Sequence, residues 1–223
     1  MSGGGHTGEA SARKAAGDRI AALHPEWRAA WGGTIAGQTL RAEMEANPRL
    51  HDRMLAAIAK RHGRAVARAP KLDRLATAVV AALSEDRAGF VRVCGLARIG
   101  RRVALATNPA DYRALVQVFG RPALAAAARI SALLPHDDGG FGYDSEQLGP
   151  AADRMGMAVI EEWADTLSEP VADWIAVHMP RGEGDPAPMG AASARTIIEG
   201  VVEAWPRIRD SADQPTERRR RAA

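Results

Sequence analysis

The chain is punctuated for helices, and one segment carries the full grammar. Asn108-Pro109-Ala110-Asp111 is followed by "YRALVQVF" and then by Gly120. Asn108 can cap a helix. Pro109 suits the first turn, where its missing N–H costs nothing, and Asp111 faces the positive end of the dipole. Tyr112, Leu115, Val116 and Phe119 then fall within about 100° of arc, the apolar stripe of a helix lying on a core. Gly120 stops the run, because glycine accepts the left-handed conformation that closes helices. A strand, whose faces alternate every second residue, cannot use this spacing.

The same signals recur along the chain. A helix is expected from about Glu9 to Leu23. Pro25 opens a short one that places Trp27 and Trp31 on one face at i, i+4, and "WGGTIAG" breaks it. Asn47-Pro48 starts another, which Gly63 ends. Pro70 opens the next, through about Leu83. Ser84 then caps a segment with Glu85 and Asp86 in its first turn, and a kink is expected near Gly95 or Gly100. "RPALAAAARISALL" is a further helix, and "PHDDGGFGYDSEQLGP" is a long loop.

The second half resumes at Pro150. Met155, Val159, Ile160, Trp163 and Leu167 share an arc of about 140°. Gly156 lies inside it. A glycine there costs about 1 kcal/mol of helix stability, so its presence predicts a close helix contact. Ser168 restarts the chain as a cap, and Val171, Trp174, Ile175 and His178 form the next apolar face. A last helix is expected from about Ala191 to Trp205.

Aromatic residues make up only 4% of the chain while hydrophobic residues reach 46%, so good helix formers outnumber good strand formers. The expected fold is all-α, an irregular orthogonal bundle of about eight to ten helices. Residues 1–8 read as a disordered N-terminus and residues 9–206 as a single helical domain, with a subdivision at loop 135–149 left open. Residues 207–223 read as a disordered basic tail. At 223 residues the chain can bury a sizeable core.

Charge argues against a strong polyanion binder. The net charge is +3, but Arg218, Arg219, Arg220 and Arg221 alone supply more than that, and the rest of the chain is nearly neutral. The single cysteine, Cys94, excludes an internal disulfide and fits a reducing compartment. No apolar run approaches the length of a membrane span, and the N-terminus lacks a signal-peptide core. The expected location is cytoplasmic.

No constellation in the sequence forms an active site. His51-Asp52 and His136-Asp137-Asp138 lack the converging ligands that a metal needs. "GGFGYD" lacks the strand before and the helix after that a phosphate loop requires. Ser84, Ser131, Ser145 and Ser168 have no nucleophile context. Cys94 lies in an apolar helix as a small inert hydrophobe. His178 reads as a core histidine, and Glu161 and Glu162 as solvated. No cofactor and no metal are expected. Three hypotheses remain: a non-catalytic adaptor, a helical DNA-binding regulator using Arg101, Arg102 and the tail, and a metal-dependent helical enzyme using the His136 loop. Tryptophan is enriched at binding hot spots, which favours the adaptor. Trp27, Trp31, Arg98, Arg101 and Arg102 are its candidate partner-binding residues.

Two stretches taken together resemble a known family. "CGLARIGRRVALATNPADYRALVQVFGRPALAAAA" has a helix, a short cap, an apolar helix ending in Phe-Gly and an alanine-rich helix. "MGMAVIEEWADTLSEPVADWIAVHMP" has a glycine on an apolar face, a tryptophan-bearing helix, a Leu-x-x-Pro corner and a closing Met-Pro. In that order they resemble the SctK family of type III secretion accessory proteins, also called YscK or HrpD. The resemblance covers roughly residues 90 to 181. The corner, Leu167-Ser168-Glu169-Pro170, is longer than the family's usual Leu-Pro, and the N-terminal third matches only through length and a His-Pro. The resemblance implies a helical, non-catalytic adaptor of the sorting platform. Its partners would be the cytoplasmic domain of an SctD-like ring protein and an SctQ-like pod protein, with no small-molecule substrate and no nucleic acid.

Overall fold

A computed structural model of the chain describes residue 47 and residues 70–104, 109–135, 147–179 and 188–221, with side chains at all of these except 101–104, 111 and 212–221. These residues are 82% helical and contain no strand, so the fold is all-α. Six helices lie among them: α1 (Arg74–Ala104), α2 (Pro109–Phe119), α3 (Arg121–Ser131), α4 (Leu148–Ala164), α5 (Glu169–Ala176) and α6 (Ala191–Arg221). Helices expected before residue 70 lie outside the described residues. The chain divides into two compact units. One holds Met1–Leu72 with Ser168–Pro180, and the other holds Asp73–Leu167 with Arg181–Ala223.

The larger unit is built around α1. The helix starts at Arg74, four residues after Pro70, because Asp73 caps it: its Oδ1 accepts the Ala76 N–H at 2.7 Å. The expected boundary at Ser84 is displaced by two residues. Asp86 leaves helical geometry at φ −148°, ψ 85°, and its carboxylate accepts the Gly89 N–H at 3.0 Å. Asp86 is therefore the cap of the second half. The Ser84 hydroxyl instead donates back to the Val80 carbonyl at 2.8 Å, a local bond that serines make inside helices. The kink belongs to this aspartate; Gly95 and Gly100 lie in regular helix.

Those glycines serve packing instead. A Cβ on Gly95 would overlap the carbonyl oxygen of Ala152 on α4, and a Cβ on Gly156 would overlap the carbonyl oxygen of Val91 on α1. The two helices thus touch backbone to backbone at a reciprocal pair of glycines, the close contact that Gly156 foretold. Gly100 repeats the device more loosely, its Cβ position lying 2.9 Å from the Ala127 carbonyl of α3. Around these crossings lie the fully buried side chains: Leu83, Phe90 and Leu96 of α1, Ile130 of α3, Ile160 and Trp163 of α4, and Ile197 and Ile198 of α6. Phe90 also meets Trp205 edge-on, with ring centroids 5.2 Å apart.

The last helix does not stop at Pro206, where the sequence suggests an end and a disordered tail. α6 continues to Arg221. A proline removes one N–H and crowds the turn before it, which bends a helix when other contacts hold the next turns in place. Here Arg209 pairs with Glu85 of α1 at 2.9 Å, and the Ser211 hydroxyl donates to the Ile208 carbonyl at 2.7 Å.

In the smaller unit, α5 follows the Leu167–Pro170 corner. Ser168 is extended at φ −66°, ψ 145°, as an N-cap should be, but its hydroxyl makes no capping bond. Its carbonyl accepts the Val171 N–H at 2.8 Å instead. Asp173, Trp174, Ile175, Val177, His178 and Met179 are all buried, so the expected apolar face is present.

Candidate functional site

The most distinctive surface of the larger unit is α2. Its boundaries are those its sequence writes: it begins at Pro109 and ends at Phe119, and Gly120 follows with φ 77°, donating its N–H to Val116 at 2.9 Å. Its apolar stripe is also present, but only the centre is covered. Leu115 is buried, Val116 and Phe119 are half-buried, and Tyr112 is 46% exposed. Val118, on the opposite side of Leu115, is 51% exposed. The apolar residues of α2 from Val118 round to Val116 spread over about 160°, with Asp111 among them beside Val118, wider than one helix neighbour can cover. Among the described helices that neighbour is α3. Just past the end of α3, Leu133 is 71% exposed.

The charged residues of α2 and α3 are Asp111 and three arginines. Arg113, Arg121 and Arg129 are exposed. The Arg113 Nε–H donates to the Pro109 carbonyl at 3.1 Å, a contact that leaves its charge uncompensated. Among the described residues none of the three forms an ion pair. Arg92, Arg195 and Arg209 are matched by carboxylates, whereas exposed Arg74, Arg154 and Arg207 form no ion pair among the described residues either. Arg92 of α1 makes a two-pronged pair with Asp153 of α4, with both N···O distances at 2.9 Å, and this carboxylate raises the Arg92 pKa.

The candidate chemical groups of the sequence are engaged otherwise. The Cys94 thiol is buried, and desolvation raises its pKa well above the ordinary thiol range, so it stays protonated. His178 is buried, and its Nδ1 lies 2.8 Å from the Trp174 carbonyl, a position that calls for a proton on Nδ1. Its ring also meets Trp174 edge-on at 5.2 Å. Arg98 is half-buried with Nη1 enclosed. Trp27, Trp31 and the His51 and His136 groups lie outside the described residues, as do the side chains of Arg101 and Arg102. Among the described residues no group of acidic, histidine or cysteine side chains converges as a metal site, and no helix is long and apolar enough to cross a membrane.

Glu162 corrects a sequence expectation. Periodicity puts it on the polar face of α4, and it is not simply solvated. Its carboxylate accepts the N–H groups of Met189 at 3.0 Å and Gly190 at 2.6 Å. A negative charge therefore sits at the positive end of α6, fastening the return of the chain after residue 187 to α4. The partners are 27 and 28 residues away, so no local pattern could have found them. Compared with protein-family models, curated proteins and solved structures, the chain matches none.

Proposed function

We propose that this protein is a non-catalytic helical adaptor of a type III secretion apparatus, joining the cytoplasmic domain of an SctD-like inner-membrane ring protein to an SctQ-like pod protein. The observation that carries the adaptor reading is α2: an amphipathic helix whose apolar arc is wider than its cover, mounted on a tightly packed body. A protein that joins others needs such a face and a body that does not yield when the face is loaded. Assignment to the secretion apparatus rests on the resemblance of residues 90–181 to the SctK family. The adaptor would work in the cytoplasm, at the inner membrane only through its partners.

The test is an affinity pull-down of the tagged full-length protein from its native cytoplasm at moderate salt, read by mass spectrometry. The expected result is recovery of the ring and pod components of a secretion apparatus. Recovery of nucleic acid alone, released as salt rises, would overturn the adaptor and favour a DNA-binding regulator, because phosphate contacts are lost with salt.

A further inference from the structure

We draw no further inference here: the strongest candidate, the surface patch of half-exposed Tyr112 and Val118 on α2, carries nothing because nothing in the structure shows what covers it.

Discussion

The crossing of α1 with α4 and the outer face of α2 use small and large residues in opposite ways. At the crossing, Gly95 and Gly156 remove side chains so that two backbones touch, and water has no access. On α2, Tyr112 and Val118 carry large apolar groups that stay about half exposed, at 46% and 51%. The first region is finished by folding. The second is left partly open. Burial of a hydrophobic stripe is thus no fixed property of an amphipathic helix; it depends on how many neighbours the topology supplies.

Substitutions in each region sharpen this contrast. The largest effect belongs to Gly156→Ala. In an open helix alanine would gain about 1 kcal/mol, but here its Cβ meets a carbonyl that cannot rotate away. A net loss of about 2 kcal/mol is expected in urea unfolding, and unchanged stability would break the close-packed account. Glu162→Ala should cost about 1.5 kcal/mol, because two N–H groups at the start of α6 lose a charged acceptor. Glu162→Gln should recover part of that, and equal losses for the two variants would show that charge contributes all of it.

Smaller effects follow. Gly149, also in α4, has nothing within 4 Å of its Cβ position, so Gly149→Ala should stabilise by about 0.5 kcal/mol. The opposite sign from Gly156→Ala on one helix isolates crowding from propensity. A double-mutant cycle on Arg92 and Asp153 should give a coupling of about 0.5 kcal/mol, because both side chains are partly solvated. Val118→Ser should leave unfolding unchanged within about 0.5 kcal/mol. A clear loss of stability would mean that α2 is already covered.

The sequence made α2 legible from end to end, because its start, stripe and stop are local signals. It also marked Gly156, since a glycine amid apolar residues on a helix needs a reason. It put a cap at Ser84 and a kink near Gly95 or Gly100, when the break belongs to Asp86, whose carboxylate reaches Gly89. It ended α6 at Pro206 because proline is a strong local breaker and the Arg209–Glu85 contact spans 124 residues. Exposure was the least legible property. Leu115 and Tyr112 occupy one stripe and read alike, yet one is buried and the other open. That difference is set by where α3 happens to lie, which no periodicity encodes.

The fastening of α6 has a mechanical consequence. Its start is held to α4 through Glu162, and nineteen residues beyond Gly190 it is held to α1 through Arg209. At 1.5 Å per residue these anchors are about 28 Å apart along one rod. A helix secured at two distant points resists tilting far better than one secured at a single point. A pull on its far end, beyond Arg209, would load Glu85 beside the bend in α1 before it disturbed the glycine crossing.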